Sequence, residues 1–103
     1  MIRIPTYRRA IHPGEVLFEE FLEPLGLSKK KLADSIRVRF QRINELVSGK
    51  GRITPSTALR LAKFFGTTAG FWLNLQMGYD LEATFKKEKA EINKIKRLRK
   101  LSS

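Results

Sequence analysis

Residues that break or cap helices recur at short intervals along this chain and restrict it to short helical segments. Proline and glycine mark the breaks, while serine and threonine stand where the first N–H groups of a helix need an acceptor. In chain order these signals are Pro13–Gly14, Pro24, Gly26, Ser28, Gly49, Thr54–Pro55, Gly66 and Thr67 or Thr68. Between them, apolar residues return every three or four positions, as in an amphipathic helix. The pattern predicts an all-α fold of about five helices.

The third and fifth predicted helices have features that bear on function. The third runs from Phe40 to Gly49, and we expect Phe40 to lie in the core or at its edge. The fifth is expected to cover "AGFWLNLQ", residues 69–76, whose apolar side chains nearly surround the helix. Only "RIPTYR", residues 3–8, suggests a short extended piece.

Composition excludes several classes of protein. The 103 residues suit one small domain, and the absence of cysteine excludes disulfides and thiolate metal sites. No apolar run of about 18 residues is present, and the first residues lack the apolar stretch of a secretory signal. We therefore expect a cytoplasmic protein. His12 is the single histidine, so neither a metal site nor a cofactor is predicted.

The charge is strongly basic and unevenly distributed. The net charge is +11, and residues 28–52 and 86–103 each hold eight basic and two acidic residues. In contrast, the first predicted helix carries a run of glutamates without a cation, Glu15, Glu19, Glu20 and Glu23. A polyanion would be attracted to the two basic regions and repelled by the acidic helix. The basic residues could also simply keep a small domain soluble, without binding a polyanion.

The second and third helices have the pattern of a helix-turn-helix, in which two short helices are joined by a tight turn. Opposite its apolar arc, the third helix presents hydrogen-bonding side chains that could enter the major groove and contact bases. These predicted base contacts are Gln41, Arg42, Asn44 and Glu45. The predicted contacts to the DNA backbone are Lys29, Lys30, Arg37, Arg39, Ser48, Lys50 and Arg52. An ordinary solvated helix surface would show the same polar pattern.

The chain divides on this basis into three parts. Residues 1–12 form an N-terminal arm, residues 13–81 a helix-turn-helix domain and residues 82–103 a basic C-terminal extension. Within the extension, Phe85, Ile92, Ile95 and Leu98 recur at helical spacing. Either a basic amphipathic helix or a frayed extension fits this pattern, and a membrane-surface helix fits it less well because the apolar stripe is thin.

The order of several motifs resembles a known family. "HPGEVLFEEFLEPLGLS", "RINELVSGK" and "TALRLAKFFGTTAGFWLNLQMGYDL" together resemble HigA-type antitoxins of the lambda-repressor-like (XRE) helix-turn-helix class, over residues 11–82. The resemblance implies a five-helix domain that dimerises, binds an inverted repeat in its own promoter and neutralises a RelE-like, mRNA-cleaving toxin. One departure is Arg37, which stands where the family often has glycine. An arginine there must either accept a strained backbone or open the turn differently.

Two functions remain open at this point. The chain is either an antitoxin and autorepressor or a stand-alone transcriptional regulator without a toxin, and the neighbouring gene would distinguish them. No catalytic group accompanies the glutamates, so an enzyme is not expected.

Two protein contacts are predicted beside the DNA contacts. The nearly encircled fifth helix predicts a homodimer seam at Phe71, Trp72 and Leu75, which are also candidates for the core. A toxin that cuts RNA needs a basic surface, and the acidic first helix would attract it through Glu15, Glu19, Glu20 and Glu23. The same glutamates could instead simply balance a basic domain.

Overall fold

The computed structural model describes residues 10–99, and these residues fold into five helices without a strand. Helix α1 covers residues 13–25, α2 is Lys29–Ile36, α3 is Phe40–Val47, α4 is Pro55–Phe65 and α5 is Ala69–Ile92. The predicted five-helix, all-α fold is therefore confirmed. Most of the predicted arm, including "RIPTYR", lies outside the described residues.

The predicted caps form the helix ends as expected. The hydroxyl oxygens of Ser28, Thr54 and Thr68 accept the N–H groups of the third helical residues of α2, α4 and α5. Gly26 and Gly66 end α1 and α4 at φ values of 62° and 77°, in the left-handed region that glycine enters without strain.

Helix α1 changes its hydrogen-bond register in the middle. It is α-helical over Pro13–Leu17 and Glu23–Leu25, with a π-helical stretch at Phe18–Leu22 between them. Pro24 explains this change, because it has no N–H and its ring would crowd the carbonyl of Glu20 in an α-helix. The wider π turn before the proline relieves that crowding.

The core lies where α1, α2, α3, α4 and the first half of α5 meet. Its buried apolar residues are Leu17, Leu22, Leu32, Ala33, Ile36, Ile43, Leu46, Ile53, Ala58, Leu61 and Trp72. Phe40 is neither among them nor among the partly buried residues packed against them: it is 44% exposed, so the prediction that it lies in the core or at its edge is wrong. Phe40 is the first residue of α3, so its side chain extends beyond the N-terminal end of the helix and lies outside the buried arc formed by Ile43 and Leu46.

Helix α5 extends well beyond the core. It runs without interruption to Ile92, whereas the sequence pattern ended it near residue 76, and the chain measures 54 × 25 × 23 Å. The predicted domain boundary between residues 81 and 82 falls inside this helix. Of the alternatives for the extension, the helical one holds as far as Ile92, while Ile95 and Leu98 lie beyond the helix and are exposed. No helix of residues 10–99 is both long and apolar enough to cross a membrane.

Candidate nucleic-acid interface

The turn between α2 and α3 is closed by a residue in the left-handed region. Arg37 has a φ of 63°, and the N–H of Val38 donates to the carbonyl oxygen of Ala33 at 3.0 Å. The turn therefore keeps the geometry that glycine would give it, with a strain of about 1 kcal/mol, and does not open differently. Arg60 supports this helix end, because its guanidinium donates to the carbonyl oxygens of Ile36 at 2.8 Å and Arg37 at 3.3 Å.

Helix α3 turns its apolar side to the core and its polar side outward. Ile43 and Leu46 are buried, and all four residues predicted to contact bases are exposed on the same helix: Gln41, Arg42, Asn44 and Glu45. Nothing in the described chain covers this polar side, so it is open to the groove of a DNA duplex. We call it the α3 polar face.

The α3 polar face is linked to α2 and to itself by side-chain hydrogen bonds. Lys29, in the first turn of α2, donates from Nζ to Oδ1 of Asn44 at 2.8 Å. Within α3, Nε2 of Gln41 lies 3.4 Å from Oε2 of Glu45. These contacts fix the orientation of both amides before any DNA is bound.

The predicted phosphate contacts surround the α3 polar face, but they are not equally available. Arg37, Arg39 and Lys50 are exposed in the segments on either side of α3. The other four have protein partners: Lys29 donates to Asn44, Lys30 pairs with Asp34, Arg52 pairs with Asp80, and Ser48 donates from Oγ to the carbonyl oxygen of Glu45. Lys30 is in an exposed pair that costs little to break.

Arg52 is held by a network that the sequence pattern did not reveal. Its guanidinium binds both carboxylate oxygens of Asp80, at 3.1 and 2.6 Å, and this hydrogen bonding lowers the pKa of Asp80. Gln76 donates to Asp80 at 3.1 Å and accepts the N–H of Ile53 at 2.7 Å. Gln76 is only 4% exposed, and it anchors the loop after α3 to α5. A lone amide four residues after Trp72, on the buried side of a helix, is the signal that could have identified it.

His12 holds the same loop from the start of α1, next to the residues that Gln76 and Asp80 bind. Its Nδ1 accepts the N–H of Gly14 at 2.9 Å, so Nε2 carries the proton and donates to the carbonyl oxygen of Gly51 at 3.1 Å. The ring also packs edge-on against Tyr79, with 4.8 Å between ring centroids. His12 therefore caps α1 and clamps the loop after α3. No group of three potential metal ligands occurs in residues 10–99.

The acidic residues of α1 are all exposed. Glu15, Glu19, Glu20 and Glu23 form no ion pair with a basic side chain of residues 10–98. Glu15 and Glu19 border a shallow cavity of about 230 Å³ that also reaches Ser48 at the end of α3. Glu20 and Glu23 do not line this cavity, so the acidic surface extends away from the α3 polar face.

The residues predicted for a dimer seam have unequal exposure. Trp72 is fully buried, its ring centroid lies 5.0 Å from that of Phe21, and its Nε1–H donates to Oγ1 of Thr67 at 2.8 Å. It belongs to the core of the single chain. Phe71 is 38% exposed, and Leu75 is partly buried against the core.

The larger exposed apolar surface of α5 lies on the side opposite Trp72. It is formed by Met77, Leu81 and Phe85, which are 57%, 57% and 44% exposed and follow one another at intervals of four residues. We call these three residues the α5 stripe.

Comparison with known proteins agrees with this geometry. Residues 18–72 match the helix-turn-helix family. Virulence-associated protein I of Dichelobacter nodosus is 50% identical over 82% of this chain and 77% of its own length. Antitoxin HigA-1 of Vibrio cholerae is 39% identical over 90% of this chain and 88% of its own length.

The chain belongs to the HigA-type antitoxins of the helix-turn-helix family.

One of the similar solved structures was determined together with DNA. The Pseudomonas aeruginosa antitoxin HigA, whose structure was determined with the higBA promoter, superposes with a TM-score of 0.83 at 36% identity. The alignment covers 87% of this chain and 99% of that one. The family predicted from the motifs is thus confirmed. In this HigA-type chain, α2 and α3 both lie within residues 18–72, the segment that matches the helix-turn-helix family. The individual base, phosphate, toxin and dimer contacts remain predictions.

Proposed function

We propose that this HigA-type chain is the antitoxin of a toxin–antitoxin pair, which binds operator DNA as a dimer, represses its own operon and neutralises a RelE-like, mRNA-cleaving toxin. The observation that carries the proposal is the open α3 polar face, which is flanked by basic side chains. The fold that presents it is shared with a HigA antitoxin whose structure was determined with its promoter. In this proposal the chain acts by binding rather than by catalysis, without a cofactor, and it does so in the cytoplasm.

On DNA, α3 occupies the major groove. Gln41, Arg42, Asn44 and Glu45 contact base edges, since amides, guanidinium and carboxylate groups suit the donors and acceptors displayed there. Arg37, Arg39 and Lys50 bind phosphates beside the groove. Lys30 and Arg52 would join them by exchanging their carboxylate partners for phosphates, which is easier for the exposed Lys30 pair than for the bidentate Arg52 pair.

The dimer that we propose is formed through the α5 stripe. Met77, Leu81 and Phe85 are exposed apolar residues in the part of α5 that projects from the core, and two copies packed along this stripe would bury one another's apolar surface. Of the seam predicted from the sequence, this proposal leaves out Trp72, because it is buried within one chain, and the part of Phe71 and Leu75 in a dimer stays a prediction. A twofold dimer would bind two half-sites about 34 Å apart, or a multiple of that distance.

A charge placed on the α5 stripe should separate the two copies. We expect Leu81→Glu to leave the monomer folded, because the side chain is exposed, but to disfavour the dimer, because the glutamate would be buried in the interface. Sedimentation should show a monomer, and operator affinity should fall because two half-sites are no longer held by one body. Ala90→Glu adds the same charge to the opposite side of α5 and should change neither result. A Leu81→Glu protein that sediments like the wild type would remove the α5 stripe from the interface.

The toxin contact that we propose is the acidic surface of α1. A protein that cuts mRNA presents basic groups to RNA, and the carboxylates of α1, which pair with no basic side chain of residues 10–98, complement such a surface. Because Glu20 and Glu23 lie outside the cavity that Glu15 and Glu19 share with Ser48, they can be changed with the least disturbance to α3.

Reversing the charge of Glu20 and Glu23 should abolish toxin neutralisation. We expect cells that co-express the toxin gene beside this one to grow with the wild-type chain and to arrest with Glu20→Lys/Glu23→Lys, whose operator binding survives. Glu88→Lys/Glu91→Lys is the control, since it changes the net charge by the same amount on the exposed end of α5 and should still support growth. Growth with the α1 variant would exclude α1 from the contact. If the wild-type chain neither binds nor neutralises the neighbouring product, the stand-alone regulator becomes the better assignment.

A further inference from the structure

The contact between Lys29 and Asn44 determines which way the Asn44 amide faces. The ammonium of Lys29 can only donate hydrogen bonds, so the Asn44 atom 2.8 Å from it must be the carbonyl oxygen. The NH₂ group of Asn44 therefore points away from Lys29 and toward the open side of α3. At this position the protein presents N–H donors from both side chains.

This orientation disfavours the usual way in which asparagine recognises adenine. Two hydrogen bonds to adenine require the amide oxygen to accept from N6 while the amide nitrogen donates to N7. Here one lone pair of the oxygen already accepts from Lys29, so only the other remains for N6, and the ammonium beside it repels the N6 amino group. Guanine instead displays two adjacent acceptors, O6 and N7, which suit a pair of donors.

The other pair on the α3 polar face has the opposite polarity. Glu45 can only accept, so its contact at 3.4 Å turns Nε2 of Gln41 inward and leaves the Gln41 oxygen free. Gln41 and Glu45 therefore present acceptors, whereas Lys29 and Asn44 present donors. Apart from Arg42, whose guanidinium also donates, the face therefore has one accepting pair and one donating pair.

We propose that Lys29 is a specificity-determining residue, which sets the Asn44 amide so that this pair selects guanine over adenine in each half-site of the operator. The proposal rests on the proposed DNA-binding function and assigns Lys29 a role beyond the phosphate contact predicted from the sequence.

The test is equilibrium binding to a set of promoter duplexes in which each base pair of a half-site is changed in turn. Asn44→Ala identifies the position that Asn44 contacts, as the one where discrimination is lost. There, the wild-type protein should prefer guanine to adenine. Lys29→Met keeps the length of the side chain but frees the Asn44 oxygen, and the preference should move toward adenine by about tenfold or more. Lys31→Met removes an equal charge from an exposed residue of α2 that has no assigned contact with DNA, and it should leave the preference unchanged.

The possible results distinguish a failure of the role proposed for Lys29 from a failure of the proposed DNA-binding function. A wild-type protein that prefers adenine at the Asn44 position, or a Lys29→Met protein with an unchanged preference, would overturn the role of Lys29 while leaving operator binding intact. If Asn44→Ala relaxes no position, the role is likewise refuted. A wild-type protein that binds the promoter no better than a scrambled duplex would refute the DNA-binding function itself.

Discussion

Gly14→Ala should prevent stable folding of this small domain. Gly14 lies where the start of α1 crosses the end of α3, and a Cβ atom there would be 1.7 Å from the carbonyl oxygen of Leu46 and 3.1 Å from the Cα of Val47. Both neighbours are backbone, so no side-chain rotation can relieve the overlap. We expect a loss of at least about 3 kcal/mol, at the upper end of the cost of overpacking, because α1 must move away from α3.

Thermal unfolding monitored by circular dichroism is the measurement for Gly14→Ala. Gly70→Ala is the matched control, because the new Cβ would meet only Oγ1 of Thr68 at 3.9 Å and glycine is the poorer helix former. The control should melt at or above the temperature of the wild type, and Gly14→Ala should melt far below it. Because the proposed toxin contact lies on α1 and the proposed base contacts on α3, the variant should also lose operator binding and toxin neutralisation together. An unchanged melting temperature would show that the close crossing of α1 and α3 is not present.

Trp72→Ala should be the most damaging change in the core. Trp72 is fully buried, its ring packs against those of Phe21, Phe65 and Phe71, and its N–H donates to Thr67. Truncating a buried tryptophan costs about 3–5 kcal/mol, which approaches the whole stability of many small domains. We expect the variant to be largely unfolded at physiological temperature.

Two comparisons separate the core role of Trp72 from a role in the dimer. Trp72→Phe retains an aromatic ring in the cluster and should lose much less stability, and Phe85→Ala truncates an exposed ring on the α5 stripe and should leave the melting temperature of the monomer nearly unchanged. Denaturant unfolding of each protein gives the free energies. A Trp72→Ala protein that is as stable as the wild type but monomeric would contradict the core role and support the dimer seam that the sequence pattern predicted at Trp72.

The elements of this fold that are determined locally could be predicted from the sequence. Ser28 and Thr54 cap helices because their hydroxyl oxygens reach N–H groups three residues ahead, and Gly66 ends α4 because it enters the left-handed region freely. The apolar arc that buries Ile43 and Leu46 also determines which side of α3 faces outward. These relations act within one or two helical turns, so the pattern of residues contains them.

Features that depend on contacts between distant residues could not be predicted in the same way. The Lys29–Asn44 and Arg52–Asp80 contacts join residues 15 and 28 positions apart, and only the packing of the helices brings them together. The sequence pattern ended α5 near residue 76, although no neighbour constrains Gly78 and the helix continues through it to Ile92. The burial of Trp72 likewise follows from Phe21 and Phe65, which approach it from other helices.

The central claim is that the α3 polar face reads the operator, and the ratio of two affinities tests it most directly. The affinity for the promoter repeat is divided by the affinity for a scrambled duplex of the same length and composition, at one salt concentration. We predict that Gln41→Ala and Asn44→Ala each lower this ratio by the equivalent of about 1–3 kcal/mol, because they remove base contacts. Lys50→Ala should weaken binding to both duplexes alike and reduce the salt dependence, because it removes a phosphate contact. If the Gln41→Ala and Asn44→Ala proteins keep the wild-type ratio, α3 does not read bases and the assignment of the interface is wrong.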